Sequence, residues 1–235
     1  MLYAYFDDSK GIEGDGETVA LGGSVAREED WCRLLPKWEG VVRDSGMGWF
    51  HAVEWNSRGA DLQKQWKTLI EIANNHVIAH IGCTVPAHAV AALRKKPHNN
   101  LQEVNSIERI WEQEWRVFEN DPMSVCLSHC ISKILEIHPG RKVALTFAKT
   151  DKLEGRHDKL SLMLDALDRT RDVFGPRKFD GDPRQLLQLQ VADLVAYELT
   201  CYRHLGRPRW QFQMLRSKLQ HQLADPPRLA CLLEL

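Results

Sequence analysis

Apolar runs and amphipathic stretches alternate along the chain, and their periods differ. Residues 2–6 and 18–26 are short apolar and aromatic runs on either side of the glycine-rich segment 11–16, which predicts an antiparallel strand pair closed by a loop. Trp31, Leu34, Leu35 and Trp38 recur at helical intervals and predict a helix over 28–42, followed by a short strand or turn at 49–55. Leu62, Trp66, Leu69, Ile70 and Ala73 mark one face of a helix over 61–76, and the β-branched content of 77–85 predicts a buried strand. Two helices are expected at 105–118 and 125–137, with Pro122 suited to a first helical turn. A strand at 143–147, a helix at 158–172, a short strand at 174–179 and an apolar helix at 185–202 complete the series. The expected fold class is α/β, a mixed sheet with helices packed on it.

With 235 residues and 43% hydrophobic composition, one domain over 1–235 can bury a sizeable core. A formal net charge of -1 excludes a strongly basic polyanion binder. The charge is unevenly divided: residues 1–140 carry a net -6 and residues 141–218 a net +6, so any basic surface belongs to the second half. Its C-terminal part holds Arg203, Arg207, Arg209, Arg216 and Lys218 interleaved with Tyr202, Trp210 and Phe212. Those residues either hold phosphates and stack on bases or form an ordinary solvated helix face. Arg94-Lys95-Lys96 reads as an exposed loop. No apolar run reaches membrane-spanning length and the first residues lack the features of a secretory signal, so a cytoplasmic location and no membrane contact are expected. Six cysteines without a CxxC pair read as buried apolar residues, including Cys126 and Cys130 beside His129.

Three acidic positions carry candidate chemistry. Asp7 and Asp8 follow an apolar strand, where they either cap a turn or share a divalent cation that offsets their repulsion. Asp193 sits in a helix that is apolar almost all round, so its carboxylate requires a metal, a basic partner, or a network with Gln190 and Tyr197. His51 and Glu54 would face opposite ways in a strand and converge only if the strand bends or ends between them. Asp151 lies among lysines, where a loop salt bridge is the simple alternative.

Five segments, residues 3–9, 22–26 with Trp31 and Trp38, 50–52, 143–147 and 189–198, together resemble the domain of unknown function 3800 family, whose fold is ribonuclease H-like. The segment LQVADLVAYE at 189–198 is the most specific of them. The resemblance implies a ribonuclease H-like sheet flanked by helices, with helical insertions and with 203–235 as a C-terminal helical extension. It also implies an acidic centre: Asp7 from the first strand, then His51, Glu54 or Asp151, then Asp193 from the last core helix. Oxygen ligands of that kind suit Mg²⁺ or Mn²⁺ and the cleavage of phosphodiesters. The expected assignment is therefore Asp7, His51 and Asp193 as catalytic, and Asp7, Asp8, Glu54, Asp151 and Asp193 as metal ligands.

The chain departs from the family pattern at two positions. Asp7-Asp8-Ser9-Lys10 stands for Asp-Glu-Ser-Gly, and Ala148 stands where relatives often carry an acid, with Asp151 or Glu154 as possible substitutes. Two functions of different class follow as expectations: a metal-dependent nuclease or phosphodiester-processing hydrolase, or a noncatalytic interaction module whose centre has decayed, of the kind a phage-defence or mobile-element system would use.

Overall fold

The computed structural model describes residues 1–10, 18–86, 122–149, 161, 164, 165, 168 and 173–223. The first strand, β1 (Leu2–Lys10), pairs antiparallel with β2 (Thr18–Arg27), Leu2 opposite Arg27 and Asp7 opposite Gly22. The chain then enters α1 (Glu28–Asp44), whose first turn carries Glu28, Glu29 and Asp30 where the helix dipole favours acids. A short α2 (Ala52–Ser57) and a 3₁₀ turn (Gly59–Leu62) lead into α3 (Gln63–His76). Strand β3 (Ala79–Pro86) returns antiparallel to β2. Helix α4 (Pro122–Ile137) begins on the expected proline, and β4 (Val143–Ala148) and β5 (Phe174–Gly181) add to the sheet in parallel on the far side of β1. The long α5 (Leu187–Leu205), α6 (Trp210–Leu215) and β6 (Leu219–Leu223) close the described chain.

The result is an α/β fold with a six-stranded mixed sheet in the order β5-β4-β1-β2-β3-β6 and helices on both faces. Period-two alternation sorts the first strand between those faces. Leu2, Ala4 and Phe6 enter the core under α4, whereas Tyr3 and Tyr5 pack toward α1 and α5. The stretch expected to be helical at 203–235 instead ends its described part in a strand: β6 pairs parallel with β3, burying Leu219. A five-residue strand is too short for its period to be read against the helical spacing that precedes it.

Small residues determine where α5 crosses the sheet. A Cβ on Gly22 of β2 would collide with the backbone of Ala196, and one on Gly82, its partner on β3, would collide with the Leu199 side chain. At the other end, a Cβ on Gly181 of β5 would lie 2.6 Å from Leu189 Cδ1. The helix is thus seated on glycines and spans the sheet from β5 to β3, packing on β1 between them. Asp193 falls in the middle of that crossing. No helix among the described residues is long and apolar enough to cross a membrane.

Candidate metal centre

Asp7 and Asp8 diverge, because adjacent residues of a strand face opposite ways. Asp8 faces the α4 side, where a small cleft is lined by Phe6, Leu21, Met123, Leu127, Phe147 and Ala148 and reached by both Asp7 and Asp8. Asp7 shares the α5 side with Tyr3 and Tyr5, and one of its oxygens, Oδ1, accepts the Asp8 backbone N–H at 2.9 Å. The two side chains leave β1 on opposite faces, and the Asp7 carboxyl feels the Asp193 charge more strongly than that of Asp8. Burial, the Asp193 carboxylate and then the Asp8 carboxylate push the Asp7 carboxyl well above its ordinary range, the Asp8 N–H offsetting part of this. Asp193 is pushed up to about 6, by burial first, while the Ala52 N–H and His51 oppose the rise and Glu54 adds to it. Both acids therefore keep their protons to higher pH than an exposed carboxyl would.

The turn at 49–52 supplies the rest of the site. A strand or turn was expected over 49–55. The chain instead leaves the extended conformation at His51 (φ -137°, ψ 115°) and starts α2 at Ala52. The buried rings of Trp38, Phe50, Trp55 and Trp66 interlock beneath this turn, and Trp55 Nε1 donates to Trp49 O at 3.0 Å. Ala52 N donates to Asp193 Oδ2 at 2.7 Å, which makes Asp193 the acceptor for the first turn of α2. Helical geometry also brings together the residues that a strand would have separated, with His51 Nδ1 3.5 Å from Glu54 Oε1. Both side chains are partly exposed and stand at the rim, closer to solvent than the acid pair.

Gln190 organises this rim in a way the sequence did not disclose. It makes no link to Asp193. Its Oε1 accepts from Trp38 Nε1 and from Phe50 N, both at 3.1 Å, and its Nε2 donates to Pro183 O at 2.9 Å. One buried amide thus ties the 49–52 turn and the 182–184 turn to α5, a single helical turn before Asp193. The only local signal was a polar residue in an apolar helix.

Oxygen donors of this kind fit a hard divalent cation, and the raised carboxyl pKa values mean that ion binding would displace a proton. Asp7 and Asp193 would hold the ion, with the remaining positions falling to water or substrate oxygens, as is common for Mg²⁺. Among the described residues, no group of three or more His, Cys, Asp and Glu side chains is arranged to hold a metal ion. Asp151 and Glu154 lie outside the described residues, as do Arg94, Lys95, Lys96 and the side chain of Lys10. Ala148 is buried at the end of β4, opposite Gly181 of β5.

Two members of the expected C-terminal basic patch make internal contacts. Arg209 pairs with the fully buried Glu198 at 3.1 Å and lies over the Tyr197 ring, while Lys218 Nζ donates to Val77 O at 3.2 Å. Phe212 is buried and stacks on Tyr202. Arg207 and Arg216 are exposed, and Arg203 is partly buried. Arg209, already neutralised by a buried acid, has little charge left for a phosphate. Cys126 and Cys130 belong to the apolar core, His129 is a buried polar residue beside them, and Cys126 Sγ donates to Cys83 O at 3.4 Å. Compared with protein-family models and with curated proteins, the chain gives no match.

Proposed function

We propose that the protein is a Mg²⁺- or Mn²⁺-dependent hydrolase of phosphodiester bonds, a nuclease in the ribonuclease H-like manner. The observation that carries this reading is the meeting of Asp7, on the α5 side of the central strand β1, with Asp193, on the long helix laid across the sheet. An acid on the first strand facing an acid on the last long helix is the arrangement implied by the resemblance to the domain of unknown function 3800 family. The bound ion would supply Lewis-acid stabilisation of charge developing on the phosphoryl oxygens. Asp7 and Asp193 hold it, and the Ala52 N–H fixes the orientation of Asp193. His51, with Nδ1 toward Glu54, is placed to exchange a proton through its other ring nitrogen.

A second reading, the noncatalytic interaction module, draws support from Ala148. This buried methyl stands where relatives often carry an acid.

Cleavage of labelled single- and double-stranded DNA and RNA in Mg²⁺ or Mn²⁺ tests the first reading. Wild type should cut at least one substrate, and Asp7→Asn should cut none. Equal cleavage by the two proteins, or none by the wild type in either metal, would reject it.

A further inference from the structure

Three side chains at the rim of the acid pair form a column. The Trp49 and His51 rings are parallel, with centroids 5.1 Å apart and 5° between their planes, and the Arg184 guanidinium lies 5.1 Å from the centre of the Trp49 ring. Every member is held from below. Trp49 is anchored by Trp55 and His51 by the start of α2, while Arg184 sits on a turn whose backbone N–H is taken by Asp182 Oδ1 at 2.8 Å. Gln190 clamps the two turns together.

Among the described residues, this exposed guanidinium makes no ion pair and no side-chain hydrogen bond. Arg209 and Arg177, by contrast, are both spent on carboxylates. Resting over the Trp49 ring, Arg184 keeps its fork of donors open to a tetrahedral oxyanion. The carboxylates of Asp7, Asp193 and Glu54 would repel any anion approaching the centre, so a fixed cation beside them has a clear electrostatic purpose.

We infer that Arg184, braced on Trp49, is a phosphate-binding subsite that receives a backbone phosphate of a single-stranded nucleic acid next to the Asp7–Asp193 centre. The substrate class rests on the hydrolase reading; the stacked geometry does not. A flexible single strand can present a phosphate at the rim without entering a deep groove.

The test measures anisotropy of a fluorescein-labelled oligothymidylate against the full-length protein over a salt series in Ca²⁺, with Mn²⁺-dependent hydrolysis of bis(p-nitrophenyl) phosphate as a separate readout. Arg184→Ala should weaken binding roughly tenfold, as expected for loss of a charge-assisted contact. It should also flatten the salt slope by about 0.7, one phosphate contact on a single strand. Arg184→Lys should restore most of the slope and only part of the affinity, because it keeps the charge and loses the fork and the stack. Trp49→Phe should bind better than Trp49→Ala. An unchanged slope in Arg184→Ala, or no binding by the wild type, overturns the subsite even if bis(p-nitrophenyl) phosphate is hydrolysed. Arg184-dependent binding without cleavage of labelled DNA or RNA in Mg²⁺ or Mn²⁺ would instead leave the subsite standing and remove the hydrolase.

Discussion

Helix α5 carries two buried acids a little over one turn apart, and their surroundings are opposite in kind. Glu198 has a dedicated cation: Arg209 reaches it from the segment leading into α6, and the Tyr197 ring, the Cys201 sulfur and Gln211 Oε1 also contact the guanidinium. Asp193 has no such cation: it accepts a backbone N–H, lies near His51 and Glu54 at the rim, and its charge raises the Asp7 carboxyl on β1. Both carboxyls are raised by burial, Glu198 to about 7 and Asp193 to about 6. Burial alone therefore does not distinguish a structural acid from a functional one. The charges around them differ: an acid held against a dedicated cation contributes to a closed structure, whereas an acid that raises another acid stores repulsion that a divalent cation can relieve.

The largest effect should come from breaking the closed side of this comparison. Arg209→Ala strands Glu198 without its cation, and the expected loss is about 3–5 kcal/mol, as for other buried pairs missing one member. Because the Glu198 carboxyl is already raised to about 7, its proton is bound in the folded state at pH values where the unfolded chain has lost it. The destabilisation should therefore be greatest above pH 7 and ease as pH falls below it, which urea denaturation at several pH values would show. A loss that does not vary with pH would mean that packing of the arginine stem, not the ion pair, sustains the contact.

Next in size is the seat of the helix. Gly22→Ala forces a methyl group into the Ala196 backbone, with an expected cost of about 3 kcal/mol, at the upper end for overpacking. It should also lift Asp193 from Asp7, so Mn²⁺ affinity by calorimetry should fall in the surviving folded protein. Unchanged affinity would detach the acid pair from the helix seat.

The smallest effect has the opposite sign. Asp193→Asn removes the repulsion and keeps an acceptor for the Ala52 N–H, so the metal-free variant should be more stable than wild type at pH 8 by about 1–2 kcal/mol. The Asp193 carboxyl is raised from its ordinary value to about 6, so the folded state retains a proton that the unfolded state releases, and wild-type stability falls as pH rises through that window. The gain should accordingly vanish as pH drops toward 4. Added Mn²⁺ should raise the melting temperature of wild type and not of the variant. A variant less stable at every pH would place Asp193 with Glu198, as a structural group.

Much of this fold was legible from periodicity. The strand pair at the start, α1, α3, α4 and the buried α5 all stand close to where apolar spacing put them, because each has a run of core residues long enough to show its period. Asp193 stood out for the same reason, as a charge inside an apolar helix. The stretch at 49–55 did not declare itself. Phe50, Ala52 and Trp55 are buried at spacings compatible with more than one conformation, and the tryptophan cage beneath them settles which is taken. His51 and Glu54 meet only as a result of that choice.

By itself the sequence determined which segments bury their faces and that a carboxylate on α5 would need a partner, since both follow from local period and the cost of desolvation. Which partner each acid received was decided by tertiary structure alone. Asp7 rather than Asp8 meets Asp193 because of the strand's handed alternation against a helix seated on glycines. Arg209 is drawn inside by Glu198, and Arg184 is left outside on Trp49. Those outcomes depend on distances between residues far apart in the chain, and charge acts through space, not along sequence.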